Sequence, residues 1–218
     1  MGLVGEFTRD TGPALWILQA FARSAPMPLW KDTVYYLPGH GGLLHTGLGE
    51  GLGRRGWAVT GRETVGEFRT LRFQQQVDTV EQDLHAHFWH AGAQVVCNSF
   101  GAYLFLHAQA QMPAYPGRAL LLSPIVGAFE QSDKLMHFSP PRPGHLMRLA
   151  AEGRYTPPPR CEIHVGADDW QSVPAQVLAF ASPLGIPVTV VPGRGHMLGR
   201  DVVGPLLDRW LAPREGPL

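Results

Sequence analysis

One serine, placed between a predicted β-strand and a predicted helix, constrains the fold of this chain more than any other feature. Val95 and Val96 before it are β-branched and apolar, which favours a buried strand. Ser99 follows at the turn, Gly101 allows two backbones to pass close together, and the apolar residues 102–108 continue as a helix. A serine hydroxyl at such a corner lies at the positive end of a helix, where a developing anion is stabilised.

This pattern is the nucleophile elbow, which is commonly written Gly-x-Ser-x-Gly. The chain departs from it at the first position, where Cys97 replaces glycine. Cysteine is small, so we expect the turn to form, whereas a bulky residue would clash across it. Serine and glycine are also ordinary turn formers. The segment by itself therefore leaves Ser99 open as a nucleophile or as a turn residue.

Apolar, β-rich segments alternate with helical patterns along the chain, which is typical of an α/β protein with a mainly parallel sheet. Besides the strand before Ser99, the predicted strands cover residues 34–37, 56–60, 119–123, 162–165 and 187–191. Besides the helix after Ser99, the predicted helices cover residues 13–24, 74–90, 173–181 and 202–211. We expect about six strands with helices on both faces of the sheet.

Size and charge limit the classes of function that fit. The chain has 218 residues, which suits a single domain over residues 1–218. Lys and Arg number 18, and so do Asp and Glu, so there is no electrostatic reason to expect nucleic acid or an anionic membrane as a partner. No apolar stretch approaches the roughly 20 residues that span a bilayer. The composition leaves the oligomeric state open.

The two cysteines, Cys97 and Cys161, are too few for a disulfide framework. Small buried hydrophobic residues are the simpler interpretation of both. Residues 14–22 are apolar, but acidic residues precede them and Gln19 interrupts them, which argues against a signal peptide. We therefore expect a cytoplasmic protein.

Polar residues or glycines follow four of the predicted strands. They are the glycine-rich loop at residues 38–42, Ser99, the pair Asp168 and Asp169, and His196. In open α/β sheets, ligands bind at the carboxyl ends of the strands. We expect these four features to lie at one edge of the sheet.

The chain order of serine, aspartate and histidine, with a glycine-rich loop after an early strand, resembles the α/β-hydrolase family. The resemblance runs from about residue 34 to the last helix and implies a short member that lacks the first strands of the full sheet. It implies that Ser99 is the nucleophile, His196 the general base and Asp169 the acid that orients the histidine. Asp169 is preferred over Asp168 because the acid of the family commonly lies three residues after the glycine that ends its strand.

The resemblance also implies an oxyanion hole formed by two backbone N–H groups, those of Phe100 and His40. Gly39 and Gly41 would allow the backbone to approach the substrate. Ser123, at the end of another predicted strand, is a further expected substrate contact. An ordinary glycine-rich turn is the alternative interpretation of residues 38–42.

The expected activity is hydrolysis of a small-molecule carboxylic ester through an acyl-enzyme, with no cofactor and no metal. A thioesterase, an amidase, a carbon–carbon bond hydrolase or an acyltransferase would use the same three residues. A catalytically silent binding protein with this fold is another alternative, since Cys97 alters the elbow.

Two other segments have alternative interpretations. Residues 85–90 resemble a His-x-His-x-Asp-His zinc motif, but Trp89 stands where that motif needs aspartate, so a solvated helix face is favoured. Residues 125–160 are predicted to be irregular and lie where the family often inserts a lid. Their apolar side chains either cover an acyl pocket or form a small additional core; these are Phe129, Leu135, Met136, Phe138, Leu146 and Met147.

Overall fold

The structure is a computed structural model that describes residues 32–131 and 136–211, without the side chains of residues 130–138. The helix predicted over residues 13–24 lies outside this part of the chain. Eight strands follow one another in the described residues: β1 (Thr33–Leu37), β2 (Ala58–Gly61), β3 (Gln94–Asn98), β4 (Arg118–Leu122), β5 (Phe129–Gln131), β6 (Met136–Phe138), β7 (Arg160–Gly166) and β8 (Val188–Val191). The α-helices are α1 (Leu48–Gly53), α2 (Gly66–Thr70), α3 (Phe73–Asp83), α4 (Phe100–Gln109), α5 (His145–Ala151), α6 (Pro174–Ala181) and α7 (Arg200–Leu211).

Six strands form one parallel sheet in the order β2-β1-β3-β4-β7-β8. The prediction of about six mainly parallel strands is confirmed. Strand β3, which carries the predicted elbow, lies between β1 and β4, with Cys97 paired to Leu37 and Leu121. The carboxyl ends of all six strands therefore meet at one edge, as the sequence predicts.

Alternating side chains of the strands face opposite sides of the sheet, and helices cover both sides. On one side, Val34, Tyr36 and Val96 pack in a core cluster with Leu52 of α1 and Leu207 of α7.

On the other side lie α3, α4 and α6. The hydroxyl of Tyr155 donates a hydrogen bond to the carbonyl of Leu106 in α4 at 3.2 Å, and its ring packs against Phe180 of α6. Phe73 of α3 lies against Tyr103 of α4. The expectation of helices on both faces is confirmed.

Several details differ from the sequence prediction. The helix expected over residues 74–90 is α3 followed by a π-helical turn, Leu84–Phe88, which keeps Leu84 and Phe88 buried. Helix α1 was not predicted, because its sequence Leu-Gly-Glu-Gly-Leu-Gly has low helix propensity. Within the described residues, no helix has the length and hydropathy needed to cross a membrane.

The segment 125–160 is more regular than predicted. Strands β5 and β6 pair as an antiparallel hairpin, and α5 follows. Phe129 and Leu146 are buried, which favours the packing interpretation for these two residues over an open pocket cover. Leu135 lies outside the described residues.

Candidate active site

The strand–turn–helix around Ser99 adopts the predicted elbow. Strand β3 ends at Asn98, α4 begins at Phe100, and Ser99 between them has a φ of 51°. A non-glycine residue seldom adopts this left-handed conformation, so the surrounding structure must hold it. The N–H of Ser99 donates to the carbonyl of Leu122 at 3.0 Å, and the carbonyl of Ser99 accepts from Tyr103 at 3.2 Å. The Ser99 side chain is thereby fixed at the carboxyl end of the central strands.

Gly101 explains how α4 can start so close to β1. A Cβ atom built on Gly101 would overlap the carbonyl oxygens of Leu37 and Pro38. Cys97, by contrast, is fully buried inside the paired strands, and the elbow forms with cysteine in place of glycine. Burial raises the pKa of the Cys97 thiol well above its usual range, so this thiol stays protonated at neutral pH.

A continuous line of hydrogen bonds joins Ser99, His196 and Asp169. The Ser99 Oγ lies 2.9 Å from His196 Nε2. The His196 Nδ1 lies 3.0 Å from each of the two Asp169 carboxylate oxygens. With the proton on Nδ1, the ring donates to Asp169 and leaves Nε2 free to accept the serine hydroxyl proton.

Two backbone amides fix the Asp169 carboxylate. Its Oδ1 accepts the N–H of Gln171 at 2.9 Å and the N–H of Ser172 at 2.8 Å. Asp168 is exposed instead, and only its backbone N–H reaches the next loop, at the carbonyl of Arg194. The structure thus brings Asp169, and not Asp168, to the histidine.

The loop that carries His196 is held by Ser123. The Ser123 hydroxyl donates to the carbonyl of His196 at 3.0 Å, and Ser123 itself has a φ of 44°. Its side chain is buried. Ser123 is the expected substrate contact, and in the structure its hydroxyl forms a bond that positions the histidine loop.

The glycine-rich loop lies directly over Ser99. A Cβ atom on Gly39 would lie 3.2 Å from the Ser99 Cβ and 3.7 Å from its Oγ, so only glycine leaves this space open. The His40 ring packs edge-on against the ring of Phe100 at 5.7 Å between centroids. Gly41 has a φ of 75°, and its N–H is used in a bond to Thr64.

The N–H groups of His40 and Phe100 donate to no residue that the structure describes. Phe100 is the first residue of α4, and the amides of a first helical turn have no partner within the helix. Both N–H groups belong to residues that adjoin Ser99 in space. The two predicted oxyanion donors are therefore free to bind a ligand.

Thr64 holds the glycine-rich loop in place through hydrogen bonds, and the sequence alone did not identify it. Its hydroxyl donates to the carbonyl of Gly39 and accepts the N–H of Gly42 at 2.9 Å. Its backbone N–H donates to the carbonyl of Gly42 at 3.1 Å, and its own carbonyl accepts the N–H of Gly41 at 3.3 Å. No local motif marks Thr64, since its partners lie more than twenty residues earlier.

The histidine-rich segment gives no sign of a metal site. Among the described residues, no group of three or more His, Cys, Asp or Glu side chains is arranged to hold a metal ion. The His85 ring stacks on Trp89 at 4.0 Å, and its Nε2 lies 4.0 Å from Glu81. These contacts fit a solvated face of the π-helical turn.

A cavity of about 520 Å³ adjoins this site. His196, Ser123 and Asn98 contribute to its lining, together with Leu122, residues within 47–55 in and around α1, and residues within 197–207 in and before α7. A volume of this size suits a small-molecule ligand. The lining includes His196 but not Ser99, His40, Gly39 or Phe100, so the space lies beside the histidine and away from the oxyanion loop.

No protein-family model matches this chain, and no curated protein matches it in sequence. Solved structures do resemble it. A protein from Xanthomonas campestris pv. campestris, provisionally described as a hydrolase of the alpha/beta superfamily, is 16% identical with a TM-score of 0.54, over 83% of this chain and 97% of that chain. The carboxylesterase CesB from Bacillus subtilis is 11% identical with a TM-score of 0.56, over 83% of each chain.

A carboxylesterase from the ammonia-oxidizing thaumarchaeon Nitrososphaera gargenis is similar at 12% identity and a TM-score of 0.55, over 82% of this chain and 89% of that chain. At such identities, the likeness concerns the arrangement of the elements and not the reaction. The strand order, the elbow after β3 and the similarity to these solved structures all indicate the same fold. The chain has the α/β-hydrolase fold.

Proposed function

We propose that this protein is a serine hydrolase that cleaves a small-molecule carboxylic ester through an acyl-enzyme. The observation that carries the proposal is the unbroken line from Ser99 Oγ through His196 to the buried carboxylate of Asp169. A serine hydroxyl is a weak nucleophile unless a base lies within hydrogen-bond reach. The neighbouring carboxylesterases are consistent with this chemistry on the same fold.

In the first half of the reaction, Ser99 Oγ attacks the ester carbonyl carbon while its proton moves to His196 Nε2. The negative charge of the tetrahedral intermediate falls on the former carbonyl oxygen. The intermediate collapses when the bond to the leaving alcohol breaks, and that alcohol takes the proton from His196. The product is an acyl group bonded to Ser99.

In the second half, water replaces the alcohol. His196 Nε2 accepts a proton from the water, whose oxygen attacks the acyl carbon. Collapse of the second intermediate breaks the bond to Ser99 Oγ, which recovers its proton from His196. Asp169 stabilises the positively charged ring in both halves without accepting its proton.

The N–H groups of His40 and Phe100 are the proposed donors to the oxyanion. Fixed donors of this kind act where the charge develops, and losing one typically costs about 10²–10³ in turnover. Because these donors belong to the backbone, the loop geometry controls them. The hydrogen bonds of the Thr64 hydroxyl with Gly39 and Gly42 hold the loop, and the small size of Gly39 lets the loop lie close to Ser99.

The same three residues could also cleave thioesters, amides and activated carbon–carbon bonds. Esters are proposed over amides because an alcohol leaves with less assistance than an amine. A panel of acyl compounds that differ only in the leaving atom separates these reactions. A catalytically silent binding protein remains the alternative of a different class.

Labelling with a fluorophosphonate probe tests the proposal. We expect the wild-type protein to be labelled and the variants Ser99→Ala and His196→Ala not to be labelled. Ser182→Ala is the matched control, because Ser182 is exposed and no hydrogen bond joins its side chain to Ser99, His196 or Asp169, and this variant should be labelled like the wild type. Folding of each variant is checked by circular dichroism.

Failure of the folded wild-type protein to react would contradict the proposal and favour the silent binding protein. Labelling that survives in Ser99→Ala would place the reactive serine elsewhere. Labelling confined to proteins with Ser99 would justify a search across ester lengths.

A further inference from the structure

We propose that the cavity between α1 and α7 binds the leaving group of the substrate, and that this leaving group is an alcohol with an apolar stem and a terminal anionic group. The inference rests on the proposed function and names the substrate class of that site. It follows from where the cavity lies, from its apolar wall and from its charged lining.

The position of the cavity assigns it to the leaving group. His196 must protonate the departing oxygen, so the leaving group has to lie on the histidine side of Ser99. The cavity is lined by His196 and by residues 197–200 that follow it, whereas Ser99 and both proposed oxyanion donors lie outside its lining, so the cavity meets the site through the histidine. The acyl half of the substrate, whose carbonyl oxygen points to those donors, then occupies the other side.

The wall of the cavity nearest the sheet is apolar. Leu122 at the end of β4 and Leu198 after the histidine are both buried. Leu207 of α7 is buried in the same core cluster, and Leu48 and Val203 pack against it from α1 and α7. A short aliphatic stem fits this surface and would be removed from water there.

The charged lining has one sign. Three arginines line the cavity, Arg54, Arg55 and Arg200, and none of the described lining residues is Asp or Glu. Acids outside the lining pair with two of these arginines, Glu50 with Arg54 and Asp208 with Arg55, so Arg200 supplies the unpaired positive charge. A guanidinium binds carboxylates and phosphates through paired hydrogen bonds.

The three arginines are not equivalent. Arg55 links α1 to α7, because its guanidinium donates to the carbonyl of Gly51 in α1 and to the Asp208 carboxylate and Gly204 carbonyl in α7. Arg54 follows the last residue of α1, is exposed and pairs with Glu50 of that helix, a pairing that contributes little to stability.

Arg200 differs from both. It is exposed, and no ion pair or side-chain hydrogen bond joins its guanidinium to a residue that the structure describes. It begins α7 and lines the cavity together with Met197, a residue that is 79% exposed. Arg200 is therefore the principal group for the anion, with Arg54 as the second.

The first experiment compares esters that differ only in one charge. The butyrate esters of 4-hydroxybutanoate and 6-hydroxyhexanoate are each paired with the ester of the corresponding amide, which has nearly the same size and no charge. We expect the wild-type protein to prefer the carboxylate member by roughly tenfold in kcat/KM at low salt, mainly through KM. The preference should shrink at high salt, since Arg54 and Arg200 are exposed.

Two variants of α7 test the residue assignment. In Arg200→Gln the ratio between carboxylate and amide substrates should fall to near one. Arg209→Gln removes the same charge from the same helix at a position outside the cavity, where Arg209 lies 3.8 Å from Glu162. This control should keep the wild-type ratio, and an equal loss in both variants would show general electrostatic attraction and overturn the inference.

Placing the charge on the acyl half of the substrate tests whether the cavity binds the leaving group or the acyl group. Methyl hydrogen succinate and methyl succinamate should be cleaved with similar kcat/KM. A preference for the anion in this pair, and not in the alcohol pair, would overturn the leaving-group assignment. Ser99-dependent cleavage of neutral esters without any charge preference would contradict this inference alone and leave the proposed function standing.

Binding gives a readout that does not depend on turnover. Ligand-observed NMR with 6-hydroxyhexanoate and Ser99→Ala should detect binding that is lost when Arg200→Gln is added. Absence of binding to the folded protein would overturn the inference whatever the catalytic result.

Discussion

The Asp169 carboxylate presents both oxygens to His196 Nδ1 at 3.0 Å, while the adjacent Asp168 is exposed. The two acids are neighbours in sequence and differ completely in surroundings. Two backbone N–H groups, those of Gln171 and Ser172, hold Asp169 in the turn after β7. The acid that orients the histidine is thus selected by the conformation of that turn.

Replacing Asp169 by asparagine tests this selection. The new side chain would offer His196 Nδ1 an amide and favour the wrong ring tautomer, so Asp169→Asn should lower kcat for a simple ester by about 10⁴. Asp168→Asn, the matched control, should stay within about twofold of wild type because exposed surface substitutions seldom disturb a site. Steady-state kinetics measure both. Loss of activity in the Asp168 variant with retention in the Asp169 variant would reverse the assignment.

Thr64 offers a test of the oxyanion loop that leaves the reacting groups intact. Thr64→Val keeps the shape but removes the hydroxyl that bridges Gly39 and Gly42. We expect kcat to fall by about 10- to 100-fold with a smaller change in KM, because displaced donors weaken the transition state most.

Thr70→Val is the control for that experiment. The Thr70 hydroxyl also bonds a backbone carbonyl, that of Glu67, but on the exposed helix α2. Its kinetics should match the wild type. Equal kinetics for Thr64→Val and Thr70→Val would show that the loop holds its geometry without the Thr64 hydroxyl.

The crossing of α4 over β1 predicts a large difference between two glycine substitutions. Gly101→Ala would press a methyl group against the carbonyls of Leu37 and Pro38, and should lower the free energy of unfolding by about 3 kcal/mol. Gly53→Ala, at the end of α1, meets nothing within 4 Å and should raise it by about 0.5–1 kcal/mol. Urea denaturation measures both. A mild effect at Gly101 would mean that α4 can shift away from β1.

A buried histidine predicts a pH-dependent stability unrelated to catalysis. Burial lowers the pKa of His107 to about 3, with His145 and Arg142 contributing, and its Nε2 has no hydrogen-bond partner among the described residues. The folded protein keeps His107 neutral, while the unfolded chain protonates it below about pH 6.5. Protonation therefore favours unfolding, and the free energy of unfolding should fall by up to about 1.4 kcal/mol per pH unit as the pH drops from 6.5 towards 3.

His107→Leu should remove this part of the pH dependence, because leucine cannot bind a proton. The ring neighbours Phe73 and Tyr103 make an apolar replacement compatible with the site. His45→Leu, at an exposed histidine, should leave the slope unchanged. Urea denaturation between pH 4 and 7 gives the slopes. Identical slopes for wild type and His107→Leu would contradict the neutral, buried state.

The sheet and the order of the site were accessible from the sequence because their signals are local. Runs such as Val95–Val96 are apolar and β-branched, and glycines, aspartates or a histidine follow the predicted strands where those strands end. A parallel α/β sheet then places these residues at one edge. That reasoning named Ser99, the pair Asp168 and Asp169, and His196 without any knowledge of their separation, and the resemblance to the α/β-hydrolase family implied Asp169 as the acid.

Other features had no local signal. Helix α1 is half glycine, and the hairpin β5–β6 is short. The hydrogen bonds of the π-helical turn span only one residue more than those of an α-helix. The position of Ser123 at the carboxyl edge of the sheet was predictable, but its bond to the His196 carbonyl depends on a loop far along the chain.

The sequence by itself determined the fold class and the types of side chain available at the carboxyl edge, because hydrophobic periodicity and turn chemistry depend on near neighbours. Only the tertiary structure decided which aspartate meets His196, that Thr64 clamps the loop over Ser99, and that Arg54, Arg55 and Arg200 line one cavity. Those relationships join residues far apart in sequence, and they arise only when α1, the loops and α7 pack around the edge of the sheet.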